Sequence, residues 1–264
     1  DRLLVGYPRD GRWHQPALQV VSLYVDQTPA GDLSVLRAAS HGFTIYPTIS
    51  AALRCGGDRL AVDGVVIIGE DGDYPRNQKG QVLYPRYDFF QQLVGVFEQD
   101  QRVVPVFNSG SLSHSWQKAK KMVADSKRLN FPLLAGSSLP VTWRLPPIEI
   151  PYGAALDEAL MVGSGNAFRA LEALQCMVER RQGGETGIKS VQLIEGDEVW
   201  KAGDKGRWSK RLLEAALSRS DSLQGVSKSQ GRPQDLAHNG QLPKLVPEPA
   251  AYLIERNDGL RTAL

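Results

Sequence analysis

A nearly continuous apolar run occupies residues 18–26, Leu-Gln-Val-Val-Ser-Leu-Tyr-Val-Asp, and it ends abruptly in the carboxylate of Asp26. Valine-rich runs of this length are typical of strands buried on both faces, as in a parallel sheet that helices cover. We therefore expect a buried strand over 18–26. The acid at its end matters because open α/β sheets bind ligands at the carboxyl ends of their strands.

Strand and helix patterns alternate after this run. Glycines and prolines predict a loop over 3–17, before the strand. Beyond Asp26, helices are predicted over 30–40, 49–54, 87–98 and 113–129, and strands over 43–46, 61–69, 102–107 and 131–135. Thr48 is the predicted N-cap of the second of these helices. This βαβ rhythm predicts an α/β fold with a Rossmann-like, doubly wound parallel sheet.

The pattern changes after about residue 145, where prolines and glycines cluster. Beyond them the sequence predicts strands over 154–162, 188–194 and 250–255, helices over 166–181 and 208–218, and a long loop over 219–246. Asn257-Asp258-Gly259 is a hairpin turn signal. We therefore predict two domains, a nucleotide-binding domain at 1–145 and a partial α+β domain with an antiparallel sheet at 146–264.

Both ends of the sequence lie close to predicted structure. Residue 1 is an aspartate, and the strand that returns from the hairpin turn stops at Leu264. We interpret the chain as truncated at both ends.

Composition limits the classes of partner. Apolar residues make up 42% and charged residues 23% of the chain, which is enough for a core and argues against global disorder. The net charge of +2 gives no electrostatic reason to expect nucleic acid. No apolar run approaches the ~20 residues of a membrane helix. We expect a cytoplasmic protein in which Cys55 and Cys176 are reduced.

Several polar groups follow predicted strands. Asp26 is a candidate ligand of a dinucleotide ribose, with an ordinary loop acid or helix cap as the alternative. Glu70 and Asp73, in the loop after the strand at 61–69, could hydrogen-bond a sugar or ligate a divalent metal. A solvated turn is favoured over the metal, because no histidine or second acidic cluster accompanies them.

Two further candidates lie near the same predicted edge. Trp143 and Arg144 could stack on a ring and bind an acidic group, or could pack between domains. His114 lies one turn into the predicted helix at 113–129 and could act chemically, although lone histidines are usually structural or solvated.

The order of these segments resembles the glucose–fructose oxidoreductase and inositol dehydrogenase family (Gfo/Idh/MocA type), and within it a bacterial branch that carries GDYP and AGSSLPVTWR. The segments that carry the resemblance are 18–26, 41–53, 61–69, 103–113, 131–140 and 168–174. The resemblance implies a Rossmann domain that binds NAD or NADP, a sugar, cyclitol or related polyol as substrate, and a homo-oligomer formed through the sheet of the second domain.

The sequence departs from this family at three places. The first Rossmann strand and its Gly-x-Gly-x-x-Gly loop, which holds the pyrophosphate, are missing from the 264 residues. Gly110 stands where the family often has lysine, and Arg169 stands where it often has an acid/base histidine. Arginine binds carboxylates and phosphates but is a poor proton shuttle.

Two hypotheses about function follow. The first is an NAD(P)-dependent oxidoreductase that acts on CH–OH groups, with no metal. Its candidate catalytic residues are Arg169 and His114, and its candidate cofactor-binding residues are Asp26, Gly69, Glu70, Asn108, Trp143 and Arg144. The second is a catalytically inactive relative that binds a ligand or a partner through the remaining cleft.

Overall fold

The computed structural model describes residues 2–142, 144, 147–163, 167–219 and 240–264. The chain divides into two compact units, Asp1–Gly136 and Ser137–Leu264. The boundary at 145/146 that separates a nucleotide-binding from a substrate domain stays a prediction.

The first unit alternates strands and helices after an N-terminal hairpin. Its elements are α1 (Arg2–Val5), β1 (Tyr7–Arg9), β2 (Arg12–His14), β3 (Ser22–Tyr24), α2 (Ser34–His41), β4 (Thr44–Tyr46), α3 (Ile49–Leu53), β5 (Val65–Ile67), α4 (Arg86–Asp100), β6 (Val106–Ser109), α5 (Trp116–Leu129) and β7 (Leu133–Gly136).

All strand pairs that follow the hairpin in this unit are parallel. Strand β3 pairs with β4, with Leu23 opposite Ile45. Strand β6 lies between β5 and β7, so that Val106 pairs with Val65 on one side and with Leu133 on the other. The predicted parallel α/β fold is confirmed, in two separate sheets of the order β3-β4 and β5-β6-β7.

Capping and burial explain the helices of this unit. The Thr48 hydroxyl accepts a hydrogen bond from the Ala51 N–H and starts α3, as predicted, and Ser115 caps α5 in the same way through the Lys118 N–H. One face of α4 buries Phe90, Leu93, Val94 and Phe97. These side chains form a core with residues of α3, β5 and β6.

The prediction for residues 18–26 is wrong in two respects. The strand covers only Ser22–Tyr24, and no side chain from 18 to 26 is buried. The physical reason is that, within the described residues, β3 has a neighbouring strand on one edge only. A valine-rich run indicates that a segment favours burial, but whether it is buried depends on which other elements pack against it.

Residues 3–17 do not form the predicted loop. They contain the end of α1 and the antiparallel hairpin β1–β2, in which Pro8 lies opposite Trp13. Asp10 and Gly11 at the turn both have positive φ, of 50° and 71°. This backbone matches the right-handed twist of hairpin strands, and Asp-Gly is a favoured sequence for it.

The second unit combines helices with a mixed sheet. Its elements are β8 (Glu158–Leu160), α6 (Ala167–Val178), β9 (Ile188–Glu195), α7 (Asp197–Asp204), α8 (Lys210–Leu217), α9 (Leu242–Leu245), β10 (Ala250–Arg256) and β11 (Arg261–Ala263). The strand order is β8-β11-β10-β9, with β10 antiparallel to both neighbours and β8 parallel to β11. The predicted antiparallel sheet and the turn at Asn257–Gly259 are confirmed.

Two predictions for this unit need correction or restriction. Helix α7 begins directly after β9 and was not predicted. Its buried residues include Val199 and Ala202. Residues 220–239 of the predicted long loop lie outside the described residues, and α9 lies in the part that is described. Within the described ranges, no helix is both long enough and apolar enough to cross a membrane.

Candidate functional site

The loops that follow β3 and β5 meet at the carboxyl ends of these two strands. The side chain of Gln27 donates to the carbonyl of Asp73 at 3.1 Å, and its Oε1 accepts from the Asp73 N–H at 2.9 Å. Because the Gln27 amide bonds both the N–H and the carbonyl of Asp73, it holds the loop after β3 against the loop after β5. Polar residues of both strands are thereby brought to one edge of the unit.

Asp26 lies at this edge with its carboxylate held by two phenols. The Tyr24 hydroxyl donates to Oδ1 at 2.7 Å, and the Tyr74 hydroxyl donates to Oδ2 at 2.9 Å. The hydrogen bond to Asp26, followed by partial burial, raises the pKa of Tyr24. Burial, followed by the hydrogen bond to Asp26, raises the pKa of Tyr74 to about 12. Both phenols are therefore protonated donors near neutral pH.

A buried arginine organises the neighbouring part of the edge. Arg86, in the first turn of α4, is 7% exposed and forms an ion pair with Glu70 at 3.1 Å. Its Nη1 donates to the Ser111 hydroxyl at 3.0 Å, and its guanidinium lies 4.9 Å from the centre of the Tyr84 ring. Desolvation lowers the pKa of Arg86, and the charge of Glu70 acts against this. Arg86 therefore joins the loops after β5 and β6.

Gly69 and Gly110 allow this close packing. A Cβ on Gly69 would lie 2.7 Å from Cγ of Arg86, and a Cβ on Gly110 would lie 1.9 Å from Oε1 of Glu70. Gly110 also has a φ of +77°, which side chains of L-residues rarely adopt. The Glu70 carboxylate therefore occupies the position that the Cβ of any other residue at 110 would take, and it would have to move to admit one.

Asn108 lies inside the unit rather than on the edge. Its side chain is fully buried, and its Nδ2 donates to the Ser111 carbonyl at 3.2 Å. Its Oδ1 has no hydrogen-bond partner among the described residues. Asn108 holds the turn at 108–111, so any role toward a cofactor would be to position that turn.

Three of the remaining candidates lie on other segments of the chain, and one lies outside the described residues. His114 is exposed and precedes α5, whereas we predicted it inside the helix; the helix begins later because Ser115 supplies the cap. Arg144, in the second unit, donates to Glu149 and to the Pro140 carbonyl, both at 3.0 Å. Arg169 is exposed in the first turn of α6. Trp143 lies outside the described residues.

The sequence interpretation missed three residues of this edge, Tyr24, Tyr74 and Arg86. A signal existed for Tyr24, because it precedes Asp26 by two residues and alternate residues of a strand share a face. No local signal marks Arg86, whose partner Glu70 lies 16 positions away. No group of three or more His, Cys, Asp or Glu side chains suited to a metal ion occurs in the part of the chain that is described.

The residues at this edge fit the ribose end of a dinucleotide. Asp26 is exposed at a strand end, and its carboxylate already accepts two hydroxyl hydrogens in the structure. A ribose diol presents the same hydroxyl donors. A ribose hydroxyl could replace the Tyr74 hydroxyl on the carboxylate, and Tyr74 could then accept a hydrogen bond, because a phenol both donates and accepts. In the described residues near Asp26, no glycine-rich turn leads into a helix N-terminus where a pyrophosphate would bind.

No protein-family model matches the sequence, and no curated protein matches it. Solved structures resemble its fold at low identity. GenD2 from gentamicin A biosynthesis, in complex with NAD, is 14% identical with a TM-score of 0.46, over 94% of this chain and 58% of that one. The WlbA dehydrogenase of Bordetella pertussis, in complex with NADH and UDP-GlcNAcA, is 10% identical with a TM-score of 0.44, over 93% and 58%.

A third structure is the biliverdin reductase of Synechocystis in complex with biliverdin and NADP+. It is 12% identical with a TM-score of 0.41, over 93% of this chain and 62% of that one. The chain therefore spans about three fifths of the length of these proteins.

Proposed function

We propose that this chain is part of an NAD(P)-dependent oxidoreductase of the Gfo/Idh/MocA type that acts on a sugar, cyclitol or related polyol. The observation that carries the proposal is the position of Asp26. Its exposed carboxylate lies at the carboxyl end of a parallel strand, and the loop after β5 is bonded to it through Tyr74. Open α/β sheets bind nucleotides at such strand ends.

The residues take separate roles in this proposal. A bound nicotinamide would accept a hydride from a carbinol carbon, or return it. Asp26 would accept hydrogen bonds from the ribose hydroxyls. Gly69, Glu70 and Asn108 would shape the edge beside the cofactor, since Arg86 fixes Glu70 and Asn108 fixes the turn at 108–111.

The substrate contacts are proposed for the second half of the chain and for His114. Arg169 would bind an anionic group of the substrate, and Trp143 with Arg144 would line the nicotinamide or substrate side. His114, exposed just before α5, is the proposed proton-transfer group, because an imidazole can both donate and accept a hydrogen whereas a guanidinium only donates.

A homo-oligomer is proposed through the sheet of the second unit. Strand β9 lies at the edge of that sheet and exposes three large apolar side chains, Ile188, Val191 and Leu193. Analytical ultracentrifugation of V191K would test this contact, because a lysine there should shift the protein to a smaller species. An unchanged sedimentation coefficient would exclude β9 from the contact.

One observation favours a different function, a relative without catalysis that binds a ligand or a partner. The Glu70 carboxylate occupies the position of a Cβ at residue 110, so a lysine there would require that carboxylate to move. Such a protein would use the same strand edge to bind a ligand without turning it over.

Titration of nicotinamide fluorescence with NADH tests the first proposal. Wild type should enhance and saturate the signal, and D26A should bind about 10- to 100-fold more weakly, because hydrogen bonds to a charged group contribute ~1.5–3 kcal/mol. D63A is the matched control, since Asp63 is almost fully exposed and pairs only with a half-exposed Arg102. Absence of binding of both NADH and NADPH by wild type would exclude the oxidoreductase and leave the second function.

A further inference from the structure

A pocket of about 240 Å³ lies on one face of the sheet in the second unit. Strand register defines this face, because Ser190, Glu255 and Arg261 are partners across β9, β10 and β11. Gln192 and Leu253 form the next row of partners. Alternate residues of a strand point to the same face, so these five side chains lie together. Three adjacent strands therefore supply one wall of the pocket.

The loop between α7 and α8 lies against this wall. Nη2 of Arg207, in that loop, donates to the side-chain oxygen of Gln192. Nη1 of Arg261 donates to the carbonyl of Gly206 in the same loop, at 3.4 Å. Each guanidinium has five N–H donors and makes one hydrogen bond among the described residues. Both arginines therefore keep donors for a further acceptor at the pocket that they line.

The charges at this pocket do not balance. In the described part of the chain, no carboxylate forms an ion pair with Arg207 or Arg261. The acid that lines the pocket, Glu255, already forms an ion pair with Lys189 at 2.7 Å. Three cationic side chains and one anionic side chain leave a net charge of +2 at one pocket. Positive charge concentrated in a concave site attracts an anion.

The pocket is distinct from the two surfaces that the proposed function uses. Val191 and Leu193, in the proposed contact between subunits, alternate along β9 with Ser190 and Gln192, so they point to the other face of the sheet. All residues that line the pocket belong to the second unit, whereas the proposed nucleotide edge belongs to the first. A ligand at the pocket is therefore a second ligand of this chain.

We propose that this pocket binds a small phosphate monoester. Arg207 and Arg261 donate to the phosphate oxygens, since hydrogen bonds between guanidinium and phosphate are charge-assisted and often bidentate. The Ser190 hydroxyl donates a further hydrogen bond. Leu253, which is half-buried at the pocket, contacts the organic group of the ester. A phosphate monoester carries nearly two negative charges near neutral pH, which matches the net charge of the pocket.

Isothermal titration calorimetry with phenyl phosphate tests the site, at about pH 8, where the ester is a dianion. Wild type should bind it saturably. R207Q and R261Q should each weaken the binding about 10- to 100-fold, because each removes a charge-assisted hydrogen bond. R211Q is the matched control and should bind like wild type, since Arg211 is exposed on α8 in the same unit and does not line the pocket.

Amide chemical shifts locate the binding. On addition of phenyl phosphate, saturable shifts should occur at the lining residues 190, 192, 207, 253–255 and 261–262. They should persist in D26A, because Asp26 does not line this pocket. A wild type that fails to bind NADH and NADPH would leave this titration unchanged, so the two proposals can fail separately.

Four results would overturn the proposal. Calorimetry without saturable binding would show that water alone solvates the two arginines. An equal loss of affinity in R211Q would show a general effect of charge rather than a site. Equal affinity for malonate, a dianion without phosphorus, would assign the pocket to dicarboxylates. Shifts confined to 24–27 and 69–74 would place the phosphate at the nucleotide edge.

Discussion

The hydroxyl of Tyr74 donates a 2.9 Å hydrogen bond to Oδ2 of Asp26, 48 positions earlier in the chain. Tyr24 occupies the other carboxylate oxygen. This contact joins the loop after β5 to the end of β3. A change at either side chain should therefore alter the properties of the other, although the two are distant in sequence.

Replacement of Asp26 by asparagine should lower the pKa of Tyr74 from about 12 toward its ordinary value of 10.0. Burial remains in the variant, so the pKa should stay above 10.0, while the hydrogen bond to a charged acceptor is lost. The pH titration of tyrosine ring ¹³C shifts measures this. D63N should leave the titration unchanged, and a wild-type Tyr74 that titrates at 10 would contradict the contact.

The same pKa predicts how stability changes at alkaline pH. A raised pKa in the folded state stabilises the fold below pH 10, and that contribution is lost as the pH rises from 10 toward 12. The free energy of unfolding of wild type should therefore fall more steeply over this range than that of Y74F. Equal slopes in urea titrations at a series of pH values would count against the contact.

Removal of the Glu70 carboxylate should destabilise the protein more than removal of a carboxylate from a solvent-exposed ion pair. E70A leaves the guanidinium of Arg86, whose side chain is 9% exposed, without its carboxylate, at a cost of about 1–3 kcal/mol. The control E98A breaks a pair with Arg128 in which both side chains are about half exposed, and such pairs contribute about 1 kcal/mol or less. Urea unfolding compares the two, and equal losses would show that Arg86 is solvated.

Alanine at Gly110 should cost more than alanine at Gly80. Both glycines have a similar positive φ, of +77° and +74°, so both variants bear backbone strain of roughly 1 kcal/mol. Only the Cβ at 110 meets another atom, Oε1 of Glu70 at 1.9 Å, because nothing lies within 4 Å at position 80. The excess loss in G110A should shrink when Glu70 is also alanine. A double-mutant cycle measures this coupling, and additivity would refute it.

Acid should weaken the second unit through Glu185. Its carboxylate accepts from Arg256, which is fully buried, at 2.6 Å, and Gln175 also bonds both residues. Burial acts to raise the pKa of Glu185, but the hydrogen bonds of Gln175 and Gly187 and the charge of Arg256 outweigh it, and the net pKa is lowered.

A lowered pKa stabilises the fold above the ordinary value of 4.5, and this contribution is lost as the pH falls below it. As the pH is lowered below 4.5, the unfolding temperature of wild type should therefore decrease, and that of E185Q should decrease less. E255Q, which removes an exposed partner of Lys189, is the control and should follow wild type.

Local patterns predicted the elements that local chemistry decides. Thr48 caps α3 as expected, and the Asn257–Gly259 turn joins β10 to β11. The hairpin at 7–14 was missed although its Asp10-Gly11 turn carried a usable signal. These features depend on a few adjacent residues, so sequence alone can specify them.

Features that depend on distant residues were not predictable in the same way. The run at 18–26 has the composition of a buried strand, but its burial requires neighbours that the run does not specify. The Arg86–Glu70 pair and the Tyr74–Asp26 bond join residues from different loops, and no spacing in the sequence indicates them. Asn108 was predicted beside a cofactor, yet its side chain is enclosed and bonds the turn at 108–111.

Amide chemical-shift mapping on titration with NADH tests the central claim, that the edge at the carboxyl ends of β3 and β5 binds a nucleotide. The account predicts saturable shifts confined, within the first unit, to 24–27, 69–74 and 108–111, and their loss in D26A. Shifts elsewhere in that unit with these segments unmoved, or no shifts at all, would contradict it.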